Sequence, residues 1–332
     1  MSIRVGIVGI SGYGGGEALR LCAAHPQFRV VYAAGESSAG QKLADRYPGV
    51  PASLAGLVIE KFDVGALPPL DVLFASLPTG DSKALLARVP ANVKIVDIGG
   101  DHRYVDGWTY GLADVWPDKI RGQTRIANPG CYPAATLTAL APLLANGLIS
   151  AGGIIVDAKT GISGAGRGGG DSKFGFAECN EDLFAYGLLR HTHMPEIATT
   201  IEALAGPTAA AAAAGERGLV FTPHLIPMTR GILATIYARG TATTGQCLDA
   251  ARAFYAGRAF VRVTDGAPHT KWATGTNLAF VSYACDPARE LVMAVAAIDN
   301  LGKGAAGQAV QNANLMCGLP ETAGLEGIAV WP

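Results

Sequence analysis

The sequence predicts an α/β protein: a Rossmann-type nucleotide-binding domain, then an α+β domain with a largely antiparallel sheet. Three observations carry this prediction. A short apolar strand runs into a glycine-rich turn and a helix near the N-terminus, further apolar strands end in polar loops up to residue 103, and longer strands follow one another after residue 153. Strands that alternate with helices form parallel sheets, whereas strands in succession form mainly antiparallel sheets.

Size and composition fit two globular domains. The 332 residues are enough for two hydrophobic cores, and a charged content of 16% argues against disorder. A formal charge of -1 gives no electrostatic reason to expect nucleic acid or a membrane surface as a partner, and no apolar run reaches the roughly 18 residues of a membrane span. The N-terminus enters a strand without a signal region, so we expect a cytoplasmic protein.

The first strand and helix flank a glycine turn. Residues 3–8 form the predicted strand and 17–24 the predicted helix, with Gly9, Gly12 and Gly15 between them in a GxxGxxG spacing. Small residues let the backbone approach a pyrophosphate, which binds the N–H groups at the helix N-terminus. This context favours a dinucleotide site over a plain tight turn.

The predicted second strand, 28–34, ends where the adenosine ribose of a dinucleotide would lie. Glu36, Ser37 and Ser38 follow it. An acidic residue at this place usually binds the 2′-hydroxyl of NAD, whereas basic or hydroxyl groups suit the 2′-phosphate of NADP. The three residues therefore leave NADP and NAD both open, and a solvated loop is the structural alternative.

Two later strands, 71–77 and 93–98, end in turns with polar residues. Ligands of parallel sheets bind at the carboxyl ends of the strands. The residues at these ends are Thr79, Gly80, Asp101 and Arg103. Arg103 is a candidate for holding a phosphate or carboxylate, and its alternative is a structural partner of Asp97 or Asp101.

Cys131 is the candidate nucleophile. It precedes a helix predicted over 134–146, whose leucines recur at helical spacing and whose stop is Gly147. A thiol at a helix N-terminus faces unpaired N–H groups and the positive end of the helix dipole, which lowers a cysteine pKa and favours the thiolate. Gly130 permits the sharp backbone turn before it. A small buried cysteine at a strand–helix turn is the alternative.

The second half carries a glycine loop and two histidines. The stretch 161–170 is too rich in glycine for regular structure, and with Arg167 it suits a phosphate site or a mobile lid, or else a disordered surface loop. His191 and His193 precede a helix predicted over 195–204. The six cysteines are scattered without a CxxC pair and no cluster completes the histidines, so we predict no metal. A single histidine suits general acid–base work beside a thiol.

Six motifs in order resemble the N-acetyl-gamma-glutamyl-phosphate reductases of the aspartate-semialdehyde dehydrogenase superfamily, over nearly the whole chain. The motifs are Gly9-Ile10-Ser11-Gly12-Tyr13, Asn128-Pro129-Gly130-Cys131-Tyr132-Pro133, Ser163-Gly164-Ala165-Gly166-Arg167, His193-Met194-Pro195-Glu196-Ile197, 221–231, and Asp299-Asn300-Leu301-Gly302-Lys303-Gly304. The resemblance implies an NADP-binding domain over 1–130 with 299–332 and a catalytic and oligomerisation domain over 131–298.

The resemblance also implies roles for individual residues. It marks Cys131 as the nucleophile and His193 as the acid/base. The residues implied for cofactor binding are Gly9, Ser11, Gly12, Tyr13, Gly14, Gly15, Ser37, Ser38, Thr79, Gly164 and Asn300. Those implied for substrate binding are Arg103, Asn128, Ser163, Arg167, Glu196 and Arg230.

The implied reaction is NADPH-dependent reduction of N-acetyl-gamma-glutamyl phosphate through a cysteine thioester, in arginine biosynthesis. A carrier-linked aminoadipyl or glutamyl phosphate, or aspartyl phosphate, remains an alternative substrate. Four positions depart from the family pattern: Glu36 replaces a basic residue, Thr79 a histidine, Asp114 a glutamate and Thr192 an arginine. Glu36 keeps NAD(H) open as the cofactor, and the other three are expected to tune the substrate pocket.

Two further hypotheses compete with this mechanism. A reductase without a covalent intermediate would leave the Cys131 thiol inert to iodoacetamide, and a non-enzymatic dinucleotide sensor would bind NADP(H) without chemistry. We expect a small acyl-phosphate substrate and a homodimer or homotetramer, because a sheet-rich second domain presents a face for self-association.

Overall fold

The computed structural model describes residues 2–167, 174–212 and 218–330, with the backbone alone over 208–212. Its strands are β1 Ile3–Val8, β2 Phe28–Ala34, β3 Val72–Ala75, β4 Lys94–Asp97, β5 Thr109–Tyr110, β6 Arg125–Ala127, β7 Ile155–Gly161, β8 Phe184–Ala185, β9 Val220–Ile226, β10 Ile232–Arg239, β11 Val261–Val263, β12 Ala279–Asp286 and β13 Leu291–Ile298. Its α-helices are α1 Tyr13–Ala24, α2 Leu43–Arg46, α3 Ala52–Ala55, α4 Ser82–Leu86, α5 Pro117–Ile120, α6 Cys131–Ala145, α7 Phe176–Cys179, α8 His193–Ala212, α9 Thr244–Phe254, α10 Thr270–Ala273 and α11 Gly307–Met316.

The chain divides into two compact units. The first comprises Met1–Gly130 with Ala305–Gly327, and the second Cys131–Gly304 with Ile328–Pro332. The expected division differs from this at 299–304 and 328–332, which belong with the second unit. The reason is hydrogen bonding: the Asp299 carboxylate accepts from the N–H of Gly275 at 2.6 Å, and the N–H of Val330 donates to the carbonyl of Thr274 at 3.1 Å.

The first unit contains a six-stranded sheet in the order β2-β1-β3-β4-β6-β5, with parallel pairing at every step. Four consecutive residues of β3 are buried, as are the last four of β1, because a parallel sheet is covered on both faces. Helix α1 begins at Tyr13, earlier than the predicted 17, so the glycines at 14 to 16 lie inside it.

The second unit contains a seven-stranded sheet in the order β11-β12-β13-β10-β7-β9-β8. The pairs β7–β9 and β11–β12 are parallel and the other four are antiparallel, which confirms the predicted α+β class. Burial alternates along β10, so one face of the sheet is buried and the other half-exposed. Helices α6 and α9 pack on this sheet.

Helix α6 is almost wholly buried although it contains Pro142. A proline cannot donate to the carbonyl four residues earlier, which in this helix belongs to Thr138. The Tyr255 hydroxyl donates to that carbonyl at 2.6 Å, and the Tyr283 hydroxyl donates to the next one, of Ala139, at 2.9 Å. Two tyrosines therefore satisfy backbone groups in the middle of the helix that begins at Cys131. Within the described residues, no helix has both the length and the apolar character to cross a membrane.

Candidate active site

Cys131 is the first residue of α6, three residues earlier than the predicted start of that helix. Its thiol is therefore in the first turn itself, where the N–H groups lack partners within the helix. The residue is part-exposed. Gly304 lies against it: a Cβ at Gly304 would come within 2.8 Å of the Cys131 Cβ. Gly304 ends one of the six motifs, but the sequence assigned it no role, because its packing partner is distant in the chain.

Aromatic and imidazole rings surround the start of α6. Tyr132 makes edge contacts with His191, His193 and Phe221 at centroid distances of 5.7, 6.0 and 5.1 Å. The Tyr132 and Tyr186 hydroxyls share a 3.0 Å hydrogen bond. The backbone N–H of His193 donates to Nδ1 of His191 at 3.1 Å, so the first histidine orients the start of the helix that carries the second. Helix α8 begins at His193, two residues before its predicted start.

Burial and the charge of Cys131 act on the two tyrosines. Burial raises the pKa of Tyr186 to about 12, against the hydrogen bond from Tyr132, and a negative Cys131 adds to the rise. Burial likewise raises the pKa of Tyr132, with further contributions from Tyr186 and Cys131. Burial lowers the pKa of His191. Both phenols are therefore neutral at physiological pH and close enough to the sulfur to interact with its charge.

The described part of the glycine loop after β7 contains regular structure, which corrects the prediction of none. Residues Ile162–Ala165 form a 3₁₀ turn. The N–H groups of Ile162 and Ser163 donate to the carbonyls of Met228 and Thr229 at 2.8 and 3.1 Å, so the following strand connection holds the turn. The exposed Arg167 lies just beyond it, and 168–173 lie outside the described residues.

Asn300 links two segments predicted to bind ligands. Its amide oxygen accepts from the N–H of Gly231 at 2.7 Å, and its amide nitrogen donates to Ser163 Oγ at 2.9 Å. Arg230 Nη1 lies 3.3 Å from the buried Asp299 carboxylate. Two other predicted residues are Glu196, which is buried in α8, and Gly164, where a Cβ would meet the Thr160 side chain. The structure thus gathers Ser163, Asn300 and Arg230 in one region of the second unit.

Asn128 lies at the end of β6 with its amide bonded to protein groups. Its nitrogen donates to the carbonyls of Pro129 and Ala305 at 3.2 and 3.1 Å, and its oxygen accepts from Asn312 Nδ2 at 3.0 Å. Asn128 is fully buried. These contacts fit a residue that anchors the backbone leading to Cys131, where the sequence suggested a substrate ligand.

The polar residues at the ends of β3 and β4 form a local network. Asp101 accepts from the N–H groups of Gly80 and Ser82, and buried Asp97 accepts from His102 Nδ1 at 2.6 Å. Burial pushes the pKa of Asp101 upward, but these hydrogen bonds outweigh it and hold the pKa below its usual value. Arg103 Nε donates to the carbonyl of Asn128 at 3.0 Å. Arg103 therefore contacts the strand end that precedes Cys131.

The same edge of the sheet includes Thr79. A Cβ added at Gly100 would lie 3.2 Å from Thr79 Oγ1. The turn after β3 and the turn after β4 therefore approach each other closely.

The glycine turn of the first unit is shaped by backbone contact. Gly9 has φ +83°, and a Cβ on it would overlap the carbonyl oxygen of Ser76. A Cβ on Gly15 would overlap the carbonyl of Gly9, and one on Gly14 would lie 2.6 Å from Ser76 Oγ. Gly12 is the N-cap of α1 without a side-chain cap bond, so backbone N–H groups face outward from this turn. The neighbouring Tyr13 is exposed.

Two serines and an arginine meet beside this turn. The Ser11 and Ser38 hydroxyls are hydrogen-bonded to each other, and Arg46 Nη2 donates to the carbonyl of Ser11 at 3.0 Å. Arg46 Nε is buried and has no hydrogen-bond partner among the described residues. Glu36 and Ser37 are exposed on the same connection. Arg46 was not predicted from the sequence, because α2 reaches Ser11 only in the folded unit. Among the described residues no cluster of three metal-ligating side chains occurs.

Comparison with known proteins identifies relatives for both units. Residues 4–123 match the NAD binding domain of semialdehyde dehydrogenases, and residues 131–300 match the dimerisation domain of the same family. The chain is 74% identical to the N-acetyl-gamma-glutamyl-phosphate reductase of Bradyrhizobium sp. (strain ORS 278), over 100% of both chains.

Solved structures share the fold at low identity. Aspartate semialdehyde dehydrogenase II of Vibrio cholerae superposes with a TM-score of 0.71 at 18% identity, covering 95% of this chain and 98% of the other. The Candida albicans aspartate semialdehyde dehydrogenase, whose structure contains NADP, superposes with a TM-score of 0.71 at 16% identity over the same shares. At these identities the likeness concerns the fold alone.

Proposed function

Because the chain belongs to the N-acetyl-gamma-glutamyl-phosphate reductase family, we propose that it reduces N-acetyl-gamma-glutamyl phosphate to N-acetylglutamate semialdehyde and phosphate with NADPH, as a step of arginine biosynthesis. The full-length 74% identity to a reductase of that name supports the substrate. The observation that carries the chemistry is Cys131 as the part-exposed first residue of a buried helix, followed by Tyr132, whose ring contacts His191 and His193.

The proposed covalent step uses the Cys131 sulfur. The thiolate attacks the acyl carbon of the acyl phosphate, phosphate leaves with the electron pair of the broken C–O bond, and a thioester remains. The N–H groups in the first turn of α6 favour the thiolate and the negative oxygen that develops on the attacked carbonyl. When bound, the reduced nicotinamide supplies the hydride that converts the thioester to the aldehyde oxidation level.

His193 is proposed to handle the proton. Neutral imidazole can accept a proton from the thiol before attack, and imidazolium can donate it to the departing phosphate oxygen or hydrogen-bond the tetrahedral oxyanion. That oxyanion then re-forms the C=O bond of the aldehyde and expels the Cys131 thiolate. The contacts of His191 and Tyr132 hold this ring in place. The pKa of His191 is lowered by burial, so His191 stays neutral and does not repel a protonated His193.

NADP is the proposed cofactor. The Ser11–Ser38 hydroxyl pair and the Arg46 guanidinium, whose buried Nε lacks a partner among the described residues, fit a phosphate that needs several donors. Arg46 would supply the positive charge that Glu36 does not provide at the end of β2. The glycine turn would hold the pyrophosphate on the N–H groups of α1.

The cofactor assignment is tested by equilibrium binding. Arg46→Gln is expected to weaken NADP⁺ binding about tenfold or more while NAD⁺ binding stays unchanged, because only NADP⁺ carries the 2′-phosphate. Arg29→Gln is the matched control, since Arg29 is exposed on β2 and loses the same charge. Equal weakening of both nucleotides would show that Arg46 acts only by supporting Ser11.

Substrate anions are assigned to arginines. Arg103 and Arg167 are proposed to bind the carboxylate and phosphate groups, because a guanidinium matches these planar and tetrahedral anions with two donors. Arg230 is a weaker candidate, since its guanidinium lies at the buried Asp299 carboxylate.

Self-association is proposed through the half-exposed face of the second sheet. Residues 131–300 match a dimerisation domain. Apolar side chains alternate on that face of the two central strands, namely Leu233 and Tyr237 on β10 and Met293 and Val295 on β13. Such a face favours a homodimer, or a tetramer built from dimers. Light scattering coupled to size exclusion would read a single-chain mass if this proposal is wrong.

The reaction is tested in the oxidative direction with N-acetylglutamate semialdehyde. We expect reduction of NADP⁺ that requires inorganic phosphate, with slower reduction of NAD⁺. Aspartate semialdehyde is the matched substrate control, because it carries a free amine in place of the N-acetylated one and has one methylene fewer. Reduction that proceeds equally without phosphate would indicate a reductase without an acyl-enzyme. Turnover of aspartate semialdehyde alone would reassign the substrate.

A further inference from the structure

Two cysteines of the second unit lie together without a role in the proposed reaction. Cys247 is buried in α9 and Cys285 is part-buried on β12. Their Sγ atoms are 3.6 Å apart, although the residues are 38 positions apart in sequence. Van der Waals contact between two thiols is the arrangement from which a disulfide closes by side-chain rotation, to an S–S distance of about 2.05 Å.

The backbone fixes this pair in register. The N–H of Cys285 donates to Oγ1 of Thr244, the first residue of α9, at 3.0 Å. Helix α9 begins with a capping box in which Thr243 and Gln246 bond each other's backbone N–H groups. Cys285 also pairs with Val292 in the antiparallel ladder of β12 and β13. The two sulfurs therefore meet between a capped helix and a paired strand, which keeps them at contact distance.

We propose that Cys247 and Cys285 form an oxidisable dithiol site that closes to an intramolecular disulfide with hydrogen peroxide or oxidised glutathione. With peroxide, the Cys285 sulfur attacks one oxygen, giving a sulfenic acid and water. The Cys247 sulfur then attacks the Cys285 sulfur, and the hydroxyl group leaves with the Cys247 proton as a second water. With oxidised glutathione, the mixed disulfide at Cys285 is displaced by Cys247, and two molecules of glutathione are released.

The order of the two steps follows from exposure. Cys285 is part-exposed and meets the oxidant first, whereas Cys247 is fully buried. Burial raises the pKa of the Cys247 thiol, which disfavours its thiolate and makes it unreactive toward an external oxidant. Its reaction partner is an activated sulfur already in contact, so proximity compensates for the low thiolate fraction.

The cross-link would join two elements that support α6. Tyr255, next to the end of α9, and Tyr283, on β12, donate to the carbonyls of Thr138 and Ala139. A disulfide that closes the loop between residues 247 and 285 restricts the unfolded chain and leaves this support in place. The oxidised form is therefore expected to melt several degrees above the reduced form.

Peptide mapping tests the site directly. Wild-type protein is incubated with oxidised glutathione, free thiols are blocked with iodoacetamide, and the tryptic digest is analysed without reductant. The expected product joins residues 240–252 to residues 272–289 and disappears on reduction. If both peptides carry only the alkyl label, or if Cys285 keeps a glutathione adduct in the wild-type protein, the proposal is wrong.

Variants distinguish the thiol that reacts with the oxidant, Cys285, from the thiol that resolves the adduct, Cys247. Cys247→Ala is expected to leave a lasting glutathione adduct on Cys285, because the resolving thiol is gone, whereas Cys317→Ala is the control that keeps the cross-link. Melting is compared in the Cys131→Ser background, so that the other reactive sulfur does not contribute. A cross-linked protein that melts no higher than its reduced form would overturn the stabilising effect.

Discussion

The glycine turn after β1 and the turn before α6 are built on opposite principles. The first depends on missing side chains: a Cβ on Gly9 or Gly15 would overlap a backbone carbonyl. The second depends on a buried side chain, because Asn128 ties its backbone to Ala305 and accepts from Asn312. A diphosphate site thus needs backbone N–H groups that no side chain covers. A nucleophile site needs a backbone whose position is fixed by buried hydrogen bonds.

Cys131→Ser is expected to have the largest effect. Serine keeps the size but loses the thiolate, so kcat should fall by on the order of 10³-fold or more. The dissociation constant of NADP⁺, measured by fluorescence quenching, should stay within about twofold, because the glycine turn is intact. Appreciable turnover in this variant would show that the reaction has no covalent step, and the turn before α6 would then have no catalytic role.

Gly304→Ala tests how closely the sulfur must be placed. The new Cβ would lie 2.8 Å from the Cys131 Cβ, so one of them must shift. A displacement of about 1 Å at a reacting group costs about 10²-fold in kcat. Gly266→Ala is the control, since a Cβ at Gly266 meets no atom within 4 Å. Steady-state rates equal to the control would mean that the turn before α6 tolerates movement.

Gly15→Ala and Gly12→Ala separate two functions of the glycine turn, namely close backbone packing and pyrophosphate binding. The Gly15 variant should lower the free energy of unfolding by about 1–3 kcal/mol, because its Cβ overlaps the Gly9 carbonyl. In the Gly12 variant the Cβ would lie 3.5 Å from that carbonyl, so stability should change by less than about 0.5 kcal/mol. Its NADP⁺ affinity should nevertheless fall about tenfold, because the methyl group occupies the approach to the pyrophosphate.

Urea denaturation and NADP⁺ titration of these two variants provide the measurements. Equal loss of stability in both would contradict the steric account.

Asn312→Ala should have a smaller but distinct effect. It removes the donor to the Asn128 amide oxygen and leaves a buried acceptor unpaired, which costs about 1–3 kcal/mol of unfolding free energy. The rate of Cys131 alkylation by iodoacetamide should also change, because the preceding backbone loosens. Asn146→Ala is matched to it: among the described residues that exposed amide donates to the carbonyl of Pro142, and its loss should change neither quantity measurably.

How far the sequence predicts each turn follows from the range of the interactions. The glycine spacing, the strand before it and the helix after it are local, so the sequence predicts the first turn, although the helix begins at Tyr13 and not at 17. The nucleophile was likewise predicted from its Pro-Gly context. What the sequence did not predict is tertiary: Asn312 acts on Asn128 from 184 residues away, and Gly304 acts on Cys131.

The same distinction explains the loop after β7. A run of glycines predicts irregular chain, but the turn Ile162–Ala165 is held by carbonyls near residue 228. Arg46 is a similar case, because α2 brings it to the Ser11 carbonyl only in the folded unit. By contrast, the strands of the second unit were predicted from apolar runs that follow one another along the chain, which is a local property of the sequence.

The thioester at Cys131 can be trapped when no nucleotide is present to reduce it. The protein is mixed with N-acetyl-gamma-glutamyl phosphate in the absence of nucleotide, quenched in acid and digested with trypsin. We expect an N-acetylglutamyl group on the peptide 126–159, attached to Cys131, and its loss when NADPH is added before the quench. A protein that turns over this substrate while that peptide stays unmodified would contradict the covalent mechanism.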